Sequence, residues 1–292
     1  MIKKNEITTR VAQSFIGVYK LKDIFRILEL KKSTYYDWIK KLNREDKYKE
    51  TKELILKVYH EHRGRYGYRR ITAILNKEYN IKIHKNTVLK IMRKLKISSP
   101  IRIIKYHSYK GEVGRKFDNL LKRNFKTNQP RKKMVTDVTQ INICNTKLYL
   151  SPLIDLYNGE ILGYNISKSP NMKQIFDMLE MAFKDCSDCK GAILHSDQGW
   201  QYQQKGYSNY LKDKNIKGSM SRKGNCIDNA CAESFFAVLK TELIYKEEFK
   251  SVEECISKIE EYICYYNNIR IKEKLGWKSP IDYRKRFQNN VA

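Results

Sequence analysis

Three short strings hold acids at places where an acid needs a reason. In "HSDQGWQY", residues 195–202, Asp197 follows the apolar run "GAILH" and precedes a glycine. In "TDVTQ", Asp137 is flanked by Val135 and Val138 within a β-rich run. In "DNACAESFF", Glu233 lies near the start of a helical pattern. A carboxylate at the end of a buried strand is costly to desolvate unless something pairs with it. Two carboxylates brought together repel unless a proton or cation sits between them. A third acid completes a hard oxygen cage of the kind that suits Mg²⁺ or Mn²⁺.

The phase of the helix bears on Glu233. At roughly 100° per residue, Ala232, Phe235, Phe236, Leu239 and Leu243 form one apolar stripe. Glu233 and Lys240 then fall together on its edge, where a core-facing helix meets solvent. Lys240 stands two turns along from Glu233, placed to touch a phosphate near a metal site. Other readings stay open on spacing alone. A lone strand Asp is commonly a turn cap, and a helix Glu near a Lys is commonly a solvated pair. Asp155 in "LIDLY" is a competing strand acid, and Asp228 a competing helix cap.

The elements that must position these acids are read from periodicity. Residues 21–42 predict two short helices, the second capped by Ser33, in a helix-turn-helix-like pattern. Residues 47–97 predict three helices. The last of them puts Val88, Ile91, Met92 and Leu95 on one stripe and Lys90, Arg93, Lys94 and Lys96 largely off it. Residues 98–133 read as a linker with one short helix over "FDNLLKRNF". Beyond it the pattern becomes α/β: three strands in "KMVTDVTQINI", "LYLSPLIDLY" and "EILGYNIS", then helix, strand, helix, strand and further helices. Ser251 and Glu254 are spaced as a capping box. This order predicts a mixed sheet with helices on both faces. The domain boundaries expected are 1–45, an N-terminal helical segment; 46–100, a helical DNA-binding domain; 101–130, a linker; and 131–292, the α/β core with a C-terminal helical extension.

Composition and charge narrow the class of partner. The 292 residues carry a formal charge of +27 and are 41% hydrophobic, enough for a packed interior. The excess is localised: residues 1–130 hold 34 Lys and Arg against 12 Asp and Glu, the remainder 25 against 20. A field of that size attracts polyanions, nucleic acid foremost. No run approaches the ~20 apolar residues of a membrane span, and "MIKKNEITTR" has no apolar signal core behind it. A cytoplasmic, nucleoid-associated protein is therefore expected. The seven cysteines are expected to be reduced thiols. Cys186 and Cys189 have zinc-like spacing but no second pair at finger spacing, and Cys226 and Cys231 are too far apart for a knuckle.

The strings "TDVTQ", "LYLSPLIDLY", "ILGY", "HSDQGWQY", "SMSRKGNCIDNACAESFFAVLKTE" and "YYNNIRIKEKLGWKSPIDYR" occur in this order. Together they resemble the integrase-core (DDE) transposases of bacterial insertion sequences, in particular the OrfB-type product of the third insertion-sequence family. "HRGRYGYRRI", residues 62–71, resembles the helical DNA-binding segment ahead of that family's catalytic core. The resemblance spans roughly residues 20 to 286. It implies a ribonuclease H-like core preceded by an all-α, helix-turn-helix-like region, with Asp137, Asp197 and Glu233 as catalytic, metal-binding acids and two Mg²⁺ or Mn²⁺ ions per site. The activity implied is metal-dependent DNA cleavage and strand transfer at terminal inverted repeats. Lys240 matches the basic residue that the family uses on element-end DNA. Arg69, Arg70, Lys90, Arg93, Lys94 and Asn229 are the further DNA-contact candidates.

The partners implied are double-stranded DNA, at element ends and target, a homo-oligomer bridging two ends, and an OrfA-type protein, separate or fused by frameshifting. Gly199 and Gly224 fall in turns beside the acids, where DNA could approach closely. Two departures are visible: Met134 where a tryptophan is usual, and Lys272 where a histidine is common. Neither touches the acids. Two rival readings are a non-catalytic DNA-binding repressor from a decayed element and a ribonuclease H-like nuclease without strand transfer. The first predicts lost acids or a truncated core, and neither is seen.

Overall fold

A computed structural model describes residues 4–43, 46–100, 117–184, 189–222 and 229–291. The chain divides into two compact units, Met1–Leu56 and Lys57–Ala292. In the first, α1 (Lys4–Ser14), α2 (Leu21–Ile27) and α3 (Lys32–Leu42) enclose a small core of Ala12, Ile24, Leu30 and Tyr35. The two short helices expected over 21–42 are α2 and α3. Ser33 does not cap α3, which already begins at Lys32 after an extended Lys31 and has no side-chain cap. Ser33 therefore sits inside the first turn.

Helix α4 (Lys49–Glu61) spans the unit boundary, and α5 (Tyr68–Lys77) and α6 (Lys85–Lys94) follow. These are the three helices expected over 47–97. Val88, Ile91 and Met92 are buried on α6, Leu95 is partly buried, and Lys90, Arg93, Lys94 and Lys96 are exposed. His84 caps α6 by accepting the Asn86 N–H.

The short helix expected over 117–125 is absent. Phe117–Leu121 runs beside a core strand instead: Leu120 N–H donates to Ser219 Oγ at 2.9 Å, and a Cβ on Gly218 would meet the Phe117 ring at 2.7 Å. Burial of Leu121 in the core and bonding to that strand outweigh the helical periodicity of the segment.

The core is one mixed six-stranded sheet: β1 (Lys133–Thr136), β2 (Thr139–Ile143), β3 (Thr146–Asp155), β4 (Ile161–Ser167), β5 (Ile193–Ser196) and β6 (Lys217–Met220). The order is β2-β3-β1-β5-β6, with β4 also paired to β3. β3 runs antiparallel to β1, β2 and β4, while β1, β5 and β6 are mutually parallel. Successive strand residues face opposite ways, and β1 shows the consequence. Met134 joins a core with α7 (Met172–Phe183) and α8 (Lys205–Asp213) on one face. Val135 joins the core with α9 (Ala230–Leu239) and α10 (Val252–Asn268) on the other. Met134 is fully buried, so it fills the place where a larger ring was expected.

Asn171 caps α7, and Ser251 caps α10 by accepting the Glu254 N–H at 3.1 Å. Helix α9 continues directly into a π-helical turn, Lys240–Ile244. A last helix, α11 (Pro280–Val291), closes the chain.

The first β-rich run is two strands, with Asp137 in the break between them rather than inside a strand. Its own Oδ1 takes the Val138 N–H at 2.7 Å, which turns the chain there. Cys189 is buried and disulfide-bonded, where a reduced thiol was expected. Cys144, Cys231, Cys255 and Cys264 are free. Cys186, Cys226, Asp228 and Gly224 lie outside the described residues, so the expectations attached to them do too.

Candidate active site

Strand register brings two of the acids together. β1 and β5 are parallel neighbours with Val135 opposite His195. Two residues further along each chain stand Asp137 and Asp197, both just past the carboxyl ends of adjacent strands. Adjacent strands lie about 4.8 Å apart, and carboxyl ends are where ligands bind open α/β sheets. Asp197 holds a tight turn, its Oδ1 accepting the Gly199 N–H at 2.8 Å. A Cβ at Gly199 would meet that same Oδ1 at 2.9 Å, so a larger residue there would press on the Asp197 carboxylate.

The electrostatics join the other two members. Burial pushes the Asp137 carboxyl well above the usual carboxylate range, and the negative charges of Asp197 and then Glu233 push it further. The Val138 N–H and the Lys240 ammonium oppose that rise. Asp197 is also raised, chiefly by burial, with the Gly199 N–H opposing. Lys240, half-buried, is lowered by burial and drawn back up by Asp137. Glu233 is exposed on the first turn of α9, while Ala232, Phe235, Phe236, Leu239 and Leu243 are buried, as the helical phase required. Among the described residues, no three His, Cys, Asp or Glu side chains are gathered closely enough to enclose a metal ion. The cluster is one of interacting charges.

Two tyrosines form its floor, and the sequence reading missed both. Tyr202 is fully buried, with its hydroxyl 3.4 Å from Thr136 Oγ1; burial, then Asp137 and Asp197, hold its phenol well above the ordinary value. Tyr207 is buried beside it at 5.4 Å between ring centroids, and its phenol is raised by burial and by Asp197. The signal available was the spacing of Tyr202, five residues after Asp197 in a short turn. Burial against the acids was not legible from that spacing.

The competing strand acid is elsewhere. Asp155 pairs with Met134, near the other end of β1, and its carboxylate accepts the Arg131 N–H at 2.8 Å and the Tyr157 N–H at 3.0 Å. It holds a turn. Asn229 is buried at the cap position of α9, one turn before Glu233, and among the described residues neither of its side-chain polar atoms has a hydrogen-bond partner. Lys90, Arg93 and Lys94 are exposed on α6, away from its buried stripe. Arg69 is exposed and pairs with Glu273 at 3.4 Å. Arg70 points inward: its Nε donates to Ile271 O at 2.9 Å, and its guanidinium lies 5.3 Å from the Tyr66 ring centroid. Lys272, where a histidine was expected, is accommodated. Its ammonium donates to Asn158 O, Gly159 O and Tyr266 Oη at 3.2, 3.1 and 2.9 Å.

The mixed sheet with helices on both faces, preceded by a helical region, is a ribonuclease H-like core of the integrase type, the core of a polynucleotidyl transferase. The Integrase core domain family matches residues 127–226 and, in a second block, 233–287; an HTH-like domain matches 45–103. The putative transposase InsK for insertion sequence element IS150 of Escherichia coli is 46% identical over 266 residues, covering 91% of this chain and 94% of that protein. An uncharacterized transposase-like protein of Haemophilus influenzae is 47% identical over 209 residues, 72% of this chain and 96% of its own length. Transposase InsF for insertion sequence IS3A of Escherichia coli is 30% identical over 283 residues, 94% of this chain and 96% of that one. The chain belongs to the IS3 family of insertion-sequence transposases. A repressor reading is not favoured, since the relatives that span nearly the whole of this chain are transposases.

Proposed function

We propose that Asp137, Asp197 and Glu233 are the catalytic acids, that they hold two divalent ions, Mg²⁺ or Mn²⁺, and that the site cleaves and joins DNA at the element's terminal inverted repeats. The observation that carries this reading is the register of β1 and β5, which sets Asp137 beside Asp197 with Glu233 and Lys240 in electrostatic reach. The donor set fits a hard cation. All three ligands are carboxylates, and a buried acid between two like charges is relieved by positive charge. When bound, such ions activate a water or 3′-hydroxyl and stabilise the leaving oxygen of an in-line displacement.

The chain's own residues supply the rest. The Val138 and Gly199 N–H groups fix the carboxylates of Asp137 and Asp197. Tyr202 and Tyr207 close the floor beneath them. Lys240 faces Asp137 and neutralises a phosphate entering beside the acids. Lys90, Arg93 and Lys94 grip phosphates further along the duplex, with Arg69 at the margin and Asn229 buried at the head of α9. No covalent protein–DNA intermediate is needed.

The assembly follows the same reading: copies of the chain bridge two DNA ends, with an OrfA-type protein as partner or fusion, in the bacterial cytoplasm at the nucleoid. Among the described residues no helix is long and apolar enough to cross a membrane. The domain boundaries read from the sequence, at 45, 100 and 130, are retained as a proposal. The decisive test is joining of a labelled element end to target DNA. Joining is expected only with Mg²⁺ or Mn²⁺ and only with all three acids. Cleavage without joining would favour a simple nuclease, and joining without added divalent ion, in chelator, would sink the metal assignment.

A further inference from the structure

Within the basic motif "HRGRYGYRR", residues 62–70, Arg65, Tyr66 and Arg70 are engaged with the core, while Arg63 and Arg69 stay exposed. Arg65 is buried against the rings of Tyr262 and Tyr265, 5.2 and 4.8 Å from their centroids. The Tyr66 hydroxyl donates to Ile269 O at 3.1 Å and accepts the Ile271 N–H at 3.1 Å, so it clasps the backbone on both sides of Arg270. Arg70 holds Ile271 O. Lys246, just past the π-turn, donates to Arg63 O.

The residue so clasped reaches the catalytic helix. Arg270 is buried and donates through Nε and Nη2 to the Glu242 carboxylate, at 2.9 and 2.6 Å, and Tyr262 Oη adds a third bond at 2.9 Å. Glu242 sits in the middle of the π-turn whose first residue is Lys240, and that turn extends the helix bearing Glu233. A buried, bidentate ion pair has a narrow range of geometries, and removing one partner leaves a buried charge. π-turns are rare and occur mostly at functional sites. Here the turn has a visible anchor, and the anchor is held by another part of the chain.

We propose that Glu242 and Arg270 are positioning residues for strand transfer. Clasped by Tyr66 and Arg70, they fix the π-turn and so set Lys240 and Glu233 against Asp137. The segment at residues 62–70 thereby tunes the active site through its contacts with the core, in addition to any DNA its neighbours grip. This rests on the transposase reading above.

The test uses the full chain with Tyr66→Phe and Arg270→Lys. The first removes the two hydroxyl bonds of Tyr66 from the clasp without touching the ion pair. The second keeps the charge but loses the bidentate fork. Three quantities are read under conditions where each variant is folded by circular dichroism: backbone hydrogen exchange at 240–246, the single-turnover joining rate at saturating labelled end, and the Kd for that end. Both variants should exchange faster at 240–246 and join at least tenfold more slowly, with Kd within about twofold of the parent. Unchanged exchange overturns the coupling, and faster exchange with an intact joining rate overturns the positioning role. A proportional loss of rate and of end binding also counts against it, since that marks general damage. If the parent chain joins no ends, the functional reading fails instead, and exchange alone then decides whether the clasp holds the turn.

Discussion

Asp197 and Asp155 are both strand-end aspartates, and their surroundings give them opposite tasks. Asp197→Asn keeps the size of the side chain and removes the anionic oxygen a hard cation needs. It should reduce joining by at least ~10³-fold in a Mg²⁺ assay. End binding should change by less than a few-fold, because phosphate contacts elsewhere supply most of the affinity. Combining it with Asp137→Asn or Glu233→Gln should add little, since groups acting as a unit are non-additive. Joining near the parent rate would remove the metal-site assignment. Asp155→Asn should keep measurable joining and change stability instead. Burial raises the Asp155 carboxyl to about 6, against the lowering effect of the Tyr157 and Arg131 N–H groups. The native state therefore holds this proton more tightly than the unfolded chain. Its contribution is fully present below about pH 4 and is lost as pH rises through 6. Urea unfolding of parent and Asp155→Asn should show the variant gaining ~2–3 kcal/mol on the parent between pH 4 and pH 7. Parallel curves would mean that the acid is not perturbed.

Among the elements, α7 shows how closely the scaffold is fitted. A Cβ on Gly163 of β4 would lie 2.7 Å from both Ala182 N and Met178 O, backbone atoms of α7 that cannot swing aside. Gly163→Ala should cost about 1–3 kcal/mol by overpacking, seen as a lower urea midpoint with an unchanged slope. A midpoint equal to the parent's would show that α7 has room to shift. The helices of the core were legible because their apolar stripes are long: every residue of the α9 stripe is buried. Less legible were elements decided by neighbours. The segment at 117–121 gives up its helix to bond β6, and Ser33 loses its capping place because α3 starts earlier. The π-turn has no sequence pattern of its own, since Glu242 is drawn inward by Arg270, 28 residues away.

For the whole molecule, charge is the property that acts at a distance. The excess of the first 130 residues divides into arginines consumed by the fold, Arg65 and Arg70, and lysines and arginines left on exposed faces, including Lys90, Arg93 and Lys94. Replacing those three by Gln in the full chain should lower the log–log salt slope of duplex binding by about 2–3, at roughly 0.9 per phosphate contact. Arg70→Gln should leave that slope nearly unchanged and cost stability. A slope unmoved by the triple change would place the DNA on another surface.

By itself the sequence determined the class of the molecule. Alternating and helical periodicities specified a mixed sheet with helices on both faces, and the ordered motifs marked three acids and a lysine, because the longer local patterns persist through folding. Which acids meet was a different matter. Asp137, Asp155 and Asp197 look alike along the chain, and only strand register, a pairing between residues some 60 positions apart, sets Asp137 beside Asp197 and sends Asp155 to a turn. The same holds for the arginines of "HRGRYGYRR". Their positive charge was plain, but the partners of Arg65 and Arg70 lie about 200 residues away, and only the tertiary structure decides that these two bind the protein's own core.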